Sequence, residues 1–205
     1  MPLGAMGISP RQFADLQRRL AGQRRGTTPV PGADTHAPAV KSILGVDPSL
    51  RGTGWGVLVV EGRQPRAVAH GTIACPKGWP RSRCLFRIAE ALRDVLRDHP
   101  TEVCAIEGLF YAQNLQTAII MGEARGAALA TIAASGIPIF EIPPAKVKQA
   151  IVGHGGAQKF AVAKMVQRMT GLADLPEPDA ADALAVALAY LGESGRFSTR
   201  PPKPL

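Results

Sequence analysis

The stretch ILGVDPSLRGTGWGVLVV, residues 43–60, decides the fold class. Ile43 to Val46 is a short apolar run that stops at Asp47-Pro48. Thr53 to Val60 follows a Gly/Arg-rich turn, so the two runs are expected to pair as a hairpin. Ala67 to Ala74 fits a third strand of the same meander. Beyond it Leu85, Ile88, Ala89, Leu92, Val95 and Leu96 recur at helical spacing, and His99-Pro100 closes that helix. Val103 to Ile106 reads as a buried strand with Glu107 at its end.

From Asn114 to Ser135 the chain is rich in Ala and Gly, a composition that lets another backbone approach closely, and Gly136-Ile137-Pro138 stops the helix. A strand over Ile139 to Ile142 comes next, then a helix from Pro144 to Val152 and a Gly153-His154-Gly155-Gly156 loop. Helices from Ala157 to Met169 and from Pro178 to Leu191 complete the order. Three strands followed by alternating helix and strand predict an α/β chain: a mixed five-stranded sheet, three strands antiparallel and two parallel, with helices on both faces.

The flanks differ in kind. Residues 1–40 are expected to be a flexible basic extension, with a short amphipathic helix (Phe13, Leu16, Leu20, started by Ser9-Pro10) broken by Thr27-Thr28-Pro29. Residues 41–191 form the folded domain, and residues 192–205, ending Pro201-Pro202-Lys203-Pro204, form a basic Pro-rich tail.

With 24 Lys and Arg against 16 Asp and Glu, the chain carries a formal +8. That balance favours a polyanionic partner such as nucleic acid. Residues 1–40 hold five Arg against two Asp, so the middle is only mildly basic and unlike a histone arm. The three cysteines, Cys75, Cys84 and Cys104, match no zinc module or disulfide framework, which predicts reduced thiols and a cytoplasmic setting. No apolar run reaches the roughly 18 residues of a membrane span, and no secretory signal opens the chain.

Asp47 and Glu107 each close a predicted strand, and in α/β sheets ligands gather at the carboxyl ends of strands. If those strands are neighbours, the two acids converge. Asp179 and Asp182, three apart at a helix start, project from nearly the same face. Alone, each has a plainer reading: an Asp before Pro forms turns, and an acid in a first helical turn suits the helix dipole. Glu107 is harder to dismiss, because a charge closing an apolar strand needs a partner or a task. Four acids in one cavity would repel unless cations lie between them. Mg²⁺ is the natural choice, two ions per site activating a water and stabilising the leaving oxygen of an in-line phosphodiester cleavage.

Several spaced blocks now coincide. Ile43-Leu44-Gly45-Val46-Asp47-Pro48 with Thr53-Gly54-Trp55-Gly56, then Ala105-Ile106-Glu107 with Phe110 and Gln113-Asn114, come first. Ala124-Arg125-Gly126, Val147-Lys148-Gln149, Gly153-His154-Gly155 with Lys159, and Asp179-Ala180-Ala181-Asp182-Ala183-Leu184-Ala185 follow in order. Together they resemble the RuvC family of Holliday-junction resolvases, within the ribonuclease H-like superfamily. The family's usual Pro-Gly after the first Asp is Pro48-Ser49 here, so the turn differs.

The resemblance implies a homodimer that nicks symmetry-related strands of four-way junction DNA in recombination and repair. It assigns Asp47, Glu107, Asp179 and Asp182 as catalytic metal ligands for two Mg²⁺, with Mn²⁺ able to stand in. It places Phe110 as an aromatic stacking on an unpaired base, with Tyr111, Gln113 and Asn114 beside it. Lys148 and Lys159 match lysines near the scissile phosphate. Helical spacing lets only one of Lys146 and Lys148 face the site, and the resemblance selects Lys148. His154 has no catalytic duty. The branch-migration proteins RuvA and RuvB would be partners, in a bacterial cytoplasm at the nucleoid. Competing readings are an actin-like sugar kinase or ATPase, a non-cleaving branched-DNA module, and a superfamily relative acting on other branched DNA or RNA.

Overall fold

The computed structural model describes residues 40–62, 64–109, 114–153, 159–194 and 204–205. Five strands form one sheet in the order β3-β2-β1-β4-β5: β1 (Ser42–Asp47), β2 (Gly52–Glu61), β3 (Gln64–Ala74), β4 (Val103–Glu107) and β5 (Ile139–Ile142). The first three are antiparallel neighbours, and β1, β4 and β5 run parallel. The expected mixed sheet is therefore observed, with β1 as its central strand.

Side chains alternate across a strand, and the core divides accordingly. Ile43, Leu58, Val103, Ala105 and Ile142 face one side, where α3 (Pro144–Val152), α4 (Lys159–Thr170) and α5 (Pro178–Ser194) pack. Leu44, Val46, Val57, Cys104 and Ile106 face the other, against α1 (Arg81–Asp98) and α2 (Leu115–Ala133). α1 shows why such a helix forms here: Cys84, Ile88, Leu92 and Val95 make one buried stripe and the remaining face is charged. Burying one such aliphatic side chain contributes about 1.5–3 kcal/mol.

α5 is buried almost all round, from Ala183 through Tyr190, because it lies between the sheet and α3 and α4. It lies directly on glycines of the strands beneath. A Cβ on Gly45 would collide with the Ala183 carbonyl, one on Gly54 with the Asp179 carbonyl, and one on Gly56 with the Leu184 side chain. Gly45 pairs with Gly56 across β1 and β2, so the strands present a bare patch to the helix. That patch fixes the height of α5 above the sheet.

Three expectations shift. α5 runs to Ser194, past the predicted limit at Leu191. At the other end of the tail, the Leu205 amide donates to the Ile139 carbonyl at 2.8 Å and Pro204 bridges Phe140. Within the single chain, Gly122 and Gly126 of the Ala/Gly helix have nothing within 4 Å, and close backbone approach between elements occurs at α5. Residues 1–39, with the predicted N-terminal helix, lie outside the described residues.

Candidate active site

β1 and β4 set the first pair of acids. Val46 is level with Ile106 in a parallel ladder, so Asp47 and Glu107 follow at the same height on adjacent strands. Neighbouring strands lie about 4.8 Å apart. Alternation turns both carboxyls away from the Val46 and Ile106 face and toward α3, α4 and α5. The bend after Asp47 is locked by the buried Thr53, whose hydroxyl donates to the Ser49 carbonyl at 2.6 Å and accepts from the Ser49 amide at 3.2 Å. Ser49 thus sits in a hydrogen-bonded turn.

α5 brings the other two. Asp182 faces Asp47 and Glu107 across a cleft of about 510 Å³, which Lys148, Lys159, Met121 and Val162 also line. Asp179 lies one turn earlier, over Gly52, where any Cβ would strike its carboxylate. Asp179 is near enough to raise Asp47 through its charge. Asp47, Glu107 and Asp182 therefore line one opening, while Asp179 is not among its lining residues and lies one helical turn away over Gly52.

Burial, reinforced by neighbouring negative charge, raises the carboxyls of this site. Burial pushes the Glu107 carboxyl up to about 8, and the Asp47 charge and the hydrogen bond to Asp47 push the same way. Burial also raises Asp47, while that hydrogen bond opposes the rise. Glu107 thus keeps its proton near neutrality and donates it to Asp47. Asp179 is raised chiefly by burial. Lys159 stands 3.2 Å from Asp182, whose charge raises the Lys159 ammonium.

The donor set suits a hard divalent cation, being all carboxylate oxygen with a shared proton where a cation would neutralise charge. Among the described residues, no three acidic, His or Cys side chains stand close enough to encage an ion as they are. Asp182 is drawn to Lys159 and Glu107 to Asp47.

The two lysines of α3 differ in their surroundings. Lys148 is exposed along the cleft wall, and Lys146 pairs with Glu193 of α5 at 3.0 Å. Asn114 has a structural duty: its carboxamide oxygen accepts the Thr117 amide at 2.8 Å and caps α2. Phe110, Tyr111, Gln113 and His154 lie outside the described residues.

One residue of the site's frame escaped the sequence reading. Arg125 on α2 ion-pairs with Glu141 of β5 and donates to the main-chain carbonyl of Glu107 at 3.4 Å, with its side chain only 12% exposed. The signal was present, since Glu123 and Arg125 are the two charges in an otherwise uncharged helix. Glu123 is taken by Arg81 of α1.

A family model described as crossover junction endodeoxyribonuclease RuvC matches residues 43–190. The RuvC of Sorangium cellulosum is 42% identical over 153 residues, covering 75% of this chain and 86% of its own. That of Thermotoga petrophila is 42% identical over 153 residues, covering 74% and 93%. Among solved structures, T. thermophilus RuvC in complex with Holliday junction substrate gives a TM-score of 0.73 at 32% identity, over 80% of this chain and 99% of that one. The yeast mitochondrial Holliday junction resolvase, at 11% identity and TM-score 0.54 over 75% and 78%, shares the fold.

Proposed function

The chain belongs to the RuvC family of crossover junction endodeoxyribonucleases, and from that premise we propose that it resolves four-way DNA junctions through the cleft at Asp47, Glu107, Asp179 and Asp182. The observation that carries this reading is the level placement of Asp47 and Glu107 on parallel neighbours, facing Asp182 across one opening. Such a wall of carboxylates has no use for a polyanion unless divalent cations are held there.

The four acids would hold two Mg²⁺, with Mn²⁺ as a substitute, because both take oxygen ligands. Bound there, the ions supply water activation and charge neutralisation for in-line phosphodiester hydrolysis. The residues of the chain do the rest. Glu107 would lose its proton on serving as a ligand, so loading would release a proton at this pair. Lys159 neutralises Asp182, and with a cation held by Asp182 it would be free to meet a phosphate oxygen. Lys148 supplies a second positive charge to the same cleft. Arg125 holds the Glu107 end of β4 in register with β5.

Two such sites in a homodimer would nick symmetry-related strands, and the open glycines of α2 offer a face for the second copy. A base unstacked at the junction centre would lie on Phe110, with Tyr111, Gln113 and Asn114 around it. RuvA and RuvB are the branch-migration partners of this scheme. The cytoplasm of a bacterium, at the nucleoid, fits the bacterial relatives and three free buried cysteines. Among the described residues no helix is long and apolar enough to cross a membrane.

The family model spans the region an actin-like kinase would need for its own phosphate loops, and that reading is dropped. The test is incubation with a synthetic mobile four-way junction in Mg²⁺ or EDTA. Paired symmetrical nicks in Mg²⁺ alone are expected; an intact junction would favour the non-cleaving module. A flap and an RNA–DNA hybrid, run alongside, separate junction resolution from other branched substrates.

A further inference from the structure

We propose that the outward row Phe160, Lys164 and Arg168 of α4 is a DNA track leading out of the cleft, a nucleobase stacking on Phe160 and phosphates held by Lys164 and Arg168. It rests on the nuclease reading above and concerns a surface outside the acidic centre.

α4 reads KFAVAKMVQRMT: three cations, Lys159, Lys164 and Arg168, and no carboxylate. Val162, Ala163, Val166 and Thr170 are buried, which turns residues 160, 164 and 168, one helical turn apart, to solvent. Phe160 is 60% exposed, although a core lies directly beneath its helix. Its ring is 4.9 Å from the Lys164 ammonium, so a cation is already seated beside the aromatic face.

The position of the row matters as much as its composition. Phe160 adjoins Lys159, and a hollow of about 190 Å³ walled by Phe160, Leu175 and Pro178 shares Lys159 and Asp182 with the cleft. A strand bound at the acids therefore meets Phe160 as it leaves. At the far end Arg168 joins Arg66 around a second hollow of about 330 Å³, where Glu61 is the opposing charge. Eight helical residues rise about 12 Å, the axial length of three to four base pairs. An aromatic followed by cations at fixed intervals is the pattern that grips a nucleic-acid backbone while tolerating any base. A protein partner would ask for a broader apolar face or for complementary acids.

The experiment follows binding of the full chain to a four-way junction in EDTA across a salt series, with 2-aminopurine placed along the arm next to the cut site. The Lys164→Ala/Arg168→Ala double variant should lower the slope of log affinity against log salt by about 2 and weaken binding about tenfold at 0.15 M. Arg93→Ala removes one exposed cation from α1, on the opposite face of the sheet, and should leave the slope where it was. Phe160→Ala should weaken binding about tenfold and abolish quenching of the probe, and Phe160→Trp should restore both. All four positions are exposed, so melting curves should stay near that of the unaltered chain. A double variant with the original slope, or a probe unquenched at every position, overturns the track. If the unaltered chain nicks the junction in Mg²⁺ while that happens, the nuclease reading survives; if it does not nick, that reading falls and the track with it.

Discussion

Glu107 donates its carboxyl proton to Asp47 across the gap between two parallel strands, one step beyond the level pair Val46 and Ile106. Backbone pairing alone thus brings two acids from residues sixty apart in the chain to hydrogen-bonding distance. On the proposed metal-site reading, a divalent cation would take the place of that shared proton.

Asp47→Asn and Glu107→Gln should each reduce junction nicking more than about a hundredfold, beyond what loss of an outer-shell group costs. Junction affinity in EDTA should change little, because phosphate contacts elsewhere position the DNA. Gel-shift and nicking assays on the same preparations check this. Near-normal nicking by either variant would remove the metal-site assignment.

The proton on Glu107 makes metal-free stability depend on pH. Folding raises this group from 4.5 to about 8, so between those values the folded chain binds more protons there than the unfolded chain. The stability it contributes is whole below about pH 4.5 and lost as pH rises through 8. Melting in EDTA should fall from pH 5 to pH 8.5 more steeply for the unaltered chain than for Glu107→Gln. Mg²⁺ should raise the melting temperature more at pH 8.5 than at pH 6. The reverse trend with Mg²⁺ would contradict the exchange of proton for cation.

Gly54→Ala places a methyl group where the Asp179 carbonyl lies, and backbone cannot swing aside as a side chain can. A loss of about 1–3 kcal/mol in urea unfolding is expected, the range for overpacking. Nicking should suffer further, since lifting α5 displaces Asp179 and Asp182 together. Gly122→Ala, which meets nothing within 4 Å in the single chain, should cost no stability in the monomer.

Lys148 and Lys146 should divide cleanly. Lys148→Ala should slow nicking about tenfold or more, as removal of a charge stabilising a transferring phosphoryl group does. Lys146→Ala breaks the surface pair with Glu193, worth at most about 1 kcal/mol, and should leave nicking near normal. Equal effects would show that neither acts at the cleft.

Arg125→Ala should raise the Mg²⁺ concentration for half-maximal nicking about tenfold, because the Glu107 end of β4 loses its tie to β5. Arg125→Lys should recover part of the loss, lacking the forked donors. A drop in rate with an unaltered Mg²⁺ requirement would assign Arg125 to DNA contact instead.

Strand and helix positions were legible because periodicity is local: Leu85 to Leu96 at helical spacing, or the apolar run into Asp47, need no knowledge of the rest of the chain. That β1 and β4 are neighbours was not, since parallel pairing joins residues separated by two strands and a helix. The acids were consequently conditional on that pairing, and Lys148 was chosen over Lys146 only by resemblance. Gly45, Gly54 and Gly56 were quoted within the hairpin strands and given no task, yet they serve by absence of volume, which only the packing of α5 reveals. Arg125 was quoted within a motif but given no task, because its partners Glu141 and Glu107 come from other strands.

Where α5 backbone rests directly on Gly45 and Gly54, the helix has little side-chain cushion through which to rock against β1 and β2. Two carboxylates riding on the helix and one on the strand therefore move as a single body. Heating should leave their spacing intact until the whole domain gives way, so that the curve of lost catalysis against temperature lies on top of the calorimetric melt.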